Sequence, residues 1–332
     1  MKNLGIVIIG RNEGERLRQC LLSVVELVDD IVYVDSGSTD DSVAMAQGNG
    51  VKVVELDLSI PFTAARARNE GFEYLLKTNP HLEFVQFVDG DCEVIASWLS
   101  KAYQEISQHS DWAVVCGRRR ERKSDRSIYN LLCDIEWNTP IGEALTCGGD
   151  AMMRVAAFRQ VDGFNPTLIA GEESELCLRL RRKGWKVWRI DAQMTLHDAQ
   201  IIRFTQWWKR SLRSGHAYAE GAWLYGKDPE RHRVKETKSI WLWGAIIPLI
   251  VIALLLPTQG WSLTLLLGYP VMIYKIYRYF QTRNFSNKNA LLYATNCVLI
   301  KFPQAWGQIQ FHLDRLLGRQ RNIVEYKNSE LV

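Results

Sequence analysis

Several clusters in this 332-residue sequence have the residue types and spacing to do chemistry. Asp89-Gly90-Asp91 sets two carboxylates on either side of a glycine. Such a pair can face one hard cation, and Mg²⁺ or Mn²⁺ held there would bridge phosphate oxygens and neutralise a diphosphate. Arg11-Asn12-Glu13 and Asp35-Ser36-Gly37 are two further polar clusters, each following an apolar run. Glu172-Glu173 follows Gly171 and precedes Ser174-Glu175-Leu176, near a helix start where the dipole favours carboxylates. A carboxylate placed there can also take the proton of an attacking hydroxyl. His197 stands alone, and a lone histidine is more often packed or at the surface than a ligand, imidazole suiting Mn²⁺ less well than carboxylate does.

The elements that must position these groups alternate. Residues 4–9, 30–34, 51–56 and 84–88 are short apolar runs of strand length. Residues 15–26, 41–47 and 64–76 carry helical spacing between them, the second capped by Thr39 or Asp40. Strands separated by helices of this length form a parallel, helix-covered sheet. Ligands of such sheets bind beyond the carboxyl ends of the strands, which is where the three polar clusters fall. An isolated Asp-x-Asp is an ordinary acidic turn; its place after the fourth strand of this pattern makes it a cation site.

Other classes are excluded. The first strand is not followed by G-x-G-x-x-G, and no strand is followed by G-x-x-x-x-G-K-[ST]. The net charge of +4 gives no overall basic character for nucleic acid. Seven cysteines are scattered without a C-x-x-C pair, which fits reduced thiols and argues against structural zinc. Residues 1–14 lack the signal-peptide pattern, so the amino-terminal region is expected to be cytoplasmic.

In order along the chain, Val7-Ile8-Ile9-Gly10-Arg11-Asn12-Glu13, Val34-Asp35-Ser36-Gly37-Ser38-Thr39-Asp40, Ala67-Arg68-Asn69-Glu70-Gly71, Phe87-Val88-Asp89-Gly90-Asp91, Gly148-Gly149, Val161-Asp162-Gly163-Phe164 and Gly171-Glu172-Glu173-Ser174-Glu175-Leu176 resemble a family 2 glycosyltransferase. The resemblance spans about residues 4–200 and implies the nucleotide-diphospho-sugar transferase fold, a mostly parallel, doubly wound sheet. It implies that Asn12, Glu13 and Asp35 line a base and ribose pocket. Arg68 would lie beside the uracil or phosphates, Asp89 at ribose or metal, and Asp91 on the metal, with His197 as a further ligand. Gly148-Gly149 would let backbone approach the donor sugar and acceptor. Glu173, with Glu172 beside it, would supply the general base of an inverting transfer. Ser36 stands where many members have a second Asp, and Glu173 where the family usually has Asp, which leaves the assignment between Glu172 and Glu173 open.

The carboxyl-terminal third resembles membrane-associated bacterial members. Residues 240–256 and 261–274 are uncharged, fringed by Trp241, Trp243, Trp261, Tyr269 and Tyr274, and flanked outside by Lys and Arg. They read as a transmembrane hairpin with both ends cytoplasmic. Residues 290–300, continuing through Trp306 to Arg321, read as an interfacial helix. The basic run 118–126 reads as a solvated loop or as a face for anionic headgroups. The expected domains are catalytic over 1–205, an amphipathic connector over 206–238, two transmembrane helices over 239–280, and an interfacial helix with cytoplasmic tail over 281–332.

The expectation is therefore a metal-dependent, inverting hexosyltransferase on the cytoplasmic face of a bacterial inner membrane. It would use Mg²⁺ or Mn²⁺ and a nucleotide-diphosphate sugar, UDP favoured, to extend a lipid-linked or lipopolysaccharide-type acceptor. The Gln-x-x-Arg-Trp pattern of processive members is not matched by Gln206-Trp207-Trp208-Lys209-Arg210, and one hairpin without a wide pore-forming bundle points to a single addition. The alternatives are a membrane-tethered glycan or nucleotide binder without catalysis, and a nucleotidyltransferase of the same fold.

Overall fold

The computed structural model describes residues 3–319. The expected tail beyond residue 319, including Arg321, lies outside the described residues. The chain divides into two units, Met1–Ser124 with Glu136–Gln200, and Asp125–Ile135 with the chain from Ile201 onward.

The first unit opens with β1 (Leu4–Gly10), α1 (Glu15–Leu22), β2 (Asp30–Asp35), α2 (Ser42–Gly48), β3 (Lys52–Glu55), α3 (Ala64–Thr78) and β4 (Phe84–Asp89). It continues through β5 (Cys92–Val94), α4 (Trp98–Gln108) and β6 (Trp112–Glu121). After α5 (Ile128–Glu136), nearly all of which lies in the second unit, come β7 (Gly142–Glu143), β8 (Ala151–Arg154), α6 (Val155–Gln160), α7 (Glu172–Arg182) and β9 (Lys186–His197).

The strands form one sheet in the order β3-β2-β1-β4-β8-β6-β9-β5, with β7 on β9. The expected parallel half is present: β1 pairs parallel with β2 and with β4, and β2 with β3. Strand order reverses at β1, since β2 and β3 lie to one side and β4 to the other. Ligands of open sheets bind beyond the strand ends at such a reversal, here past Gly10 and Asp89. Register levels the strand ends, with Gly10 opposite Asp35 and Ile9 opposite Asp89. The other half is mixed. β8 runs antiparallel to both β4 and β6, and β6 pairs parallel with β9 through several register shifts. An antiparallel β8 begins where β4 ends, so Asp150, one residue before it, arrives beside Asp89.

Of the parallel half, β1, β2 and β4 are buried on both faces, which is why they read as continuous apolar runs, whereas β3 is partly exposed. Helix α3 starts at Thr63, whose hydroxyl accepts the Arg66 N–H at 3.0 Å. It packs so closely on the sheet that a Cβ at Gly71 would fall 2.5 Å from Val7 Cγ1. The N-cap of α2 is Asp41, without a side-chain cap bond, and not Thr39 or Asp40 as expected; Asp40 instead accepts the Ser42 N–H at 3.0 Å and the Gly14 N–H at 3.1 Å.

The second unit is helical: α5, α8 (Phe204–Tyr225), α9 (Val234–Trp241), a π-helical turn (Leu242–Ile246), α10 (Ile247–Leu254), a 3₁₀ segment (Trp261–Leu267), α11 (Gly268–Thr282), α12 (Asn287–Leu299) and α13 (Lys301–Leu316). α9, the π turn and α10 run on as one helix, Val234–Leu254. Among the described residues it is the one helix long and apolar enough to cross a membrane. The segment after it returns alongside, with the Tyr269 hydroxyl donating to the Trp243 carbonyl at 2.6 Å and that of Ser262 to Val251 at 3.0 Å. Residues 290–316 form two helices, α12 and α13, where one was expected. α13 lies tight against α8, because a Cβ at Gly215 would fall 2.1 Å from the Gln304 carbonyl oxygen, and one at Gly307 equally close to that of Leu212.

Candidate active site

The loop after β2 is organised by Asp35. Its carboxylate accepts the backbone N–H of Gly37 (2.9 Å) and Ser38 (2.7 Å) and the hydroxyls of Tyr33 (2.9 Å) and Ser38 (2.5 Å). Asn12, at φ 54°, accepts the Thr39 N–H through Oδ1 at 2.7 Å, and its own N–H donates to Ser38 Oγ at 2.9 Å. Glu13 pairs with Arg16 at 2.8 Å. These three sequence-identified residues therefore stand together at the β1 and β2 ends. Asp35 already accepts four hydrogen bonds, so it builds the loop more than it offers a free carboxylate.

At the β4 end an ion-pair chain crosses four elements. Arg68, on α3 and buried, donates through Nη1 to Glu172 at 2.9 Å and through Nη2 to Asp89 at 2.7 Å, with Glu173 at 3.9 Å. Arg119, on β6, reaches the other oxygen of Asp89 at 3.2 Å and Asp150 at 2.9 Å. Burial alone would raise the Asp89 pKa, but Arg68, Arg119 and His197 outweigh it and hold the carboxyl below its ordinary range. Burial works against the charge of Arg68, and its three acidic neighbours raise its pKa all the same.

Arg119 corrects the reading of 118–126 as a surface loop. The run begins inside β6, and strand alternation turns one arginine of the series into the site. Gly149 is also explained: a Cβ there would fall 2.4 Å from Arg68 Nη2 and 2.8 Å from Asp89 Oδ2. The Arg68–Asp89 pair lies against the backbone of residue 149, whereas a Cβ at Gly148 would meet Arg119 Nη2 at an ordinary 4.0 Å.

Asp91 and His197 come together as expected, Nε2 to Oδ2 at 3.3 Å, both buried. His197 pairs in register with Cys92 on β5 and Glu121 on β6, and its Nδ1 lies 3.6 Å from Glu121 Oε2. The Trp137 ring meets the imidazole edge to face at 4.8 Å. Asp91, Cys92 and His197 could together hold a cation, and their ligand atoms lie within 4.8 Å of one another. A carboxylate and an imidazole with this spacing are donors that Mn²⁺ accepts.

Glu172 and Glu173 open α7 behind Gly171, whose φ of 82° suits glycine. They are not equivalent. Glu172 is buried and spent on Arg68, whereas Glu173 keeps 21% of its side chain exposed. Burial, then the charge of Glu172, push the Glu173 pKa up to about 7, against the pull of Arg68. One residue after Arg68, Asn69 clamps the 161–164 turn, donating to the Phe164 carbonyl at 2.8 Å and accepting its N–H at 2.9 Å.

Arg119, Asp150, Thr195 and Glu121 belong to this constellation and were not identified as site residues from sequence. The available signal was strand periodicity: an apolar run over 112–116 continues into the arginines, so alternate residues had to face inward.

Residues 5–161 match the family model described as glycosyl transferase family 2. A TPR repeat-containing protein of Synechococcus elongatus is 38% identical over 140 residues, 42% of this chain and 33% of that protein. An uncharacterized glycosyltransferase of Rickettsia felis is 43% identical over 54 residues, 16% of this chain and 19% of that one. The chain thus spans a third or less of the length of these curated relatives. Among solved structures, the mannosyltransferase PcManGT of Pyrobaculum calidifontis, in complex with GDP-Man and Mn²⁺, superposes with a TM-score of 0.55 at 16% identity. That similarity covers 95% of this chain and 87% of the other, and it establishes the shared fold.

Proposed function

With residues 5–161 a glycosyltransferase family 2 region, we propose that the chain transfers a single sugar, with inversion, from a nucleotide-diphosphate donor to a lipid-linked or cell-surface glycan. The observation that carries this reading is the division of labour between Glu172 and Glu173. One carboxylate is neutralised by a buried arginine, and its neighbour stays partly open with a pKa lifted to about 7. A base poised near the working pH is suited to taking a proton from an acceptor hydroxyl.

Asp91 and His197, with Asp89 beside them, would hold Mg²⁺ or Mn²⁺, which when bound supplies positive charge to a diphosphate leaving group. Arg68 and Arg119 hold Asp89 from two sides. Asn12, Glu13 and the loop built by Asp35 would face the nucleoside, UDP being the favoured donor, and Gly148-Gly149 would let backbone approach the donor sugar and acceptor. Glu173 deprotonates the acceptor hydroxyl as it attacks the anomeric carbon, and the nucleotide diphosphate departs on the opposite face.

The carboxyl-terminal helices support attachment to a membrane. Leu249, Ile252, Leu256 and Trp261 are all more than 60% exposed, an apolar surface that lipid would cover. In this reading Val234–Leu254 and the segment returning after it form a hairpin in a bacterial inner membrane. The outer apolar face of α12 and α13, with Leu299, Trp306 and Leu316, rests on the anionic inner leaflet, and the catalytic unit is cytoplasmic. The test is a panel of nucleotide sugars incubated with membranes carrying the protein. Release of a nucleoside diphosphate with one donor supports transfer, release of diphosphate identifies a nucleotidyltransferase, and no turnover with any donor leaves a binding protein.

A further inference from the structure

None of the cysteines is in a disulfide, yet two of them meet. Cys147 Sγ lies 3.6 Å from Cys177 Sγ, an S–H···S contact in which either thiol can be the donor. Cys177 is wholly buried on α7, and Cys147 is partly exposed on the chain between β7 and β8. Both stand next to groups of the candidate active site. Cys177 comes one helical turn after Glu173, on the same side of α7. Cys147 comes two residues before Gly149, whose backbone abuts Arg68 and Asp89. Residues 145–150 belong to neither helix nor strand, so a shift of Cys147 towards α7 breaks no ladder. The hydrogen bond from Cys147 holds the Cys177 thiol below its ordinary range, against burial. Because the proton is shared, the first one is lost by the pair and not by one residue.

We infer that Cys147 and Cys177 form an oxidisable dithiol, closed to a disulfide by hydrogen peroxide, and that its closure slows sugar transfer. With the shared proton on Cys177, the Cys147 thiolate attacks one peroxide oxygen. The O–O bond breaks, a sulfenic acid forms at Cys147, and the departing hydroxide becomes water with the proton that Cys147 had lost. The Cys177 sulfur then attacks the sulfenic sulfur. The S–O bond breaks, and the Cys177 proton leaves with that hydroxide as a second water. Two thiols are oxidised to one disulfide, and one peroxide is reduced to two waters. The sulfurs close from 3.6 Å to a bond of about 2.0 Å. That draws the Gly148-Gly149 turn and the start of α7 together, on either side of Glu173. Misplacing positioning groups by about 1 Å can cost about 10²-fold in rate. The bridge itself does not depend on the transferase reading; its effect on rate rests on it.

The test treats the purified, reduced full chain with hydrogen peroxide and maps its peptides by mass. A linked Cys147–Cys177 peptide is expected, with two titratable thiols lost and both regained in dithiothreitol. Transfer should fall about tenfold or more as the bridge forms and return with dithiothreitol, whereas methionine sulfoxide needs its own reductases. Cys147→Ser, at the partly exposed position, should form no bridge and keep its rate through the same treatment. Cys177→Ala repeats the test from the buried side. A sulfinic acid at Cys147 without a bridge, bridges to other cysteines, or an oxidised parent that transfers as fast as the reduced one overturns the inference and leaves the transferase reading standing. If the reduced parent transfers no sugar, that reading fails, and the mapped bridge alone decides the dithiol.

Discussion

Two adjacent glutamates with different surroundings make separable predictions. Glu173 has a folded pKa of about 7, above its ordinary value of 4.5. Between those values the folded protein binds a proton that the unfolded chain does not. Its contribution to stability is therefore full below about pH 4.5 and is lost as pH rises through 7. Glu173→Gln should remove this dependence, so a melting series from pH 5 to pH 8 should fall less steeply for the variant than for the parent. The same variant should lose about 10²–10⁴ in transfer rate with nucleotide affinity kept, and the parent rate should climb with pH through about 7. Transfer by Glu173→Gln at the parent rate would move the base elsewhere. Glu172→Gln acts differently: it leaves the buried Arg68 beside a neutral amide, and a hydrogen bond to a charged group is worth about 1.5–3 kcal/mol. Its signature should be a lower melting temperature at every pH. Asp91→Asn should fold and fail to turn over, and chelation should silence the parent until Mg²⁺ or Mn²⁺ is returned. Full activity in chelator would remove the cation from the reaction.

Element geometry explains what could be read in advance. The parallel half of the sheet was legible because β1, β2 and β4 are buried on both faces and stand out as unbroken apolar runs, each ending in a polar cluster. Thr63 follows a local capping rule, and α3 and α2 start within a residue of where the sequence put them, although α2 is capped by neither Thr39 nor Asp40. The other half was not legible, because Arg119 and Asp150 acquire their meaning from strand neighbours far away in sequence. Five basic residues between 118 and 123 look like solvent-facing chain until β8 is inserted antiparallel next to β6. Gly149 was noticed, but for a different reason: the close approach is that of Arg68 and Asp89. Gly149→Ala should therefore push apart an ion pair and not merely narrow a pocket. Overpacking of this kind costs about 1–3 kcal/mol, and activity should fall with it. Gly148→Ala, whose Cβ would meet only Arg119 Nη2 at an ordinary 4.0 Å, should leave melting unchanged; equal destabilisation by the two would refute the assignment. Asn69→Ala should destabilise by about 1–3 kcal/mol, since it strands both the N–H and the C=O of Phe164.

Whether the whole molecule lives in a membrane turns on which surface its longest apolar helix presents. Val234–Leu254 has 21 residues; at about 1.5 Å each it reaches about 31 Å, close to the roughly 30 Å of a hydrocarbon core. The core helix of a water-soluble protein of that composition would be mostly enclosed, but only 17% of its apolar window is buried. The returning segment is pinned to it by Tyr269 and Ser262, whose hydroxyls are satisfied by carbonyls of the first helix. That pairing suits a medium offering no water as an alternative partner. Leu249 sits on the outward surface at 64% exposed, near the middle of the uncharged run 240–256, so Leu249→Arg separates the two environments. In water an exposed arginine there should cost almost nothing, within about 0.5 kcal/mol. In lipid a charge at the centre of the run costs about 2.5–3.5 kcal/mol, and the hairpin should insert poorly. The parent should stay with membranes through a carbonate wash, and Leu249→Arg should appear in the soluble or degraded fraction. A parent protein released by carbonate, or an arginine variant that stays attached as the parent does, would show that lipid does not cover this face.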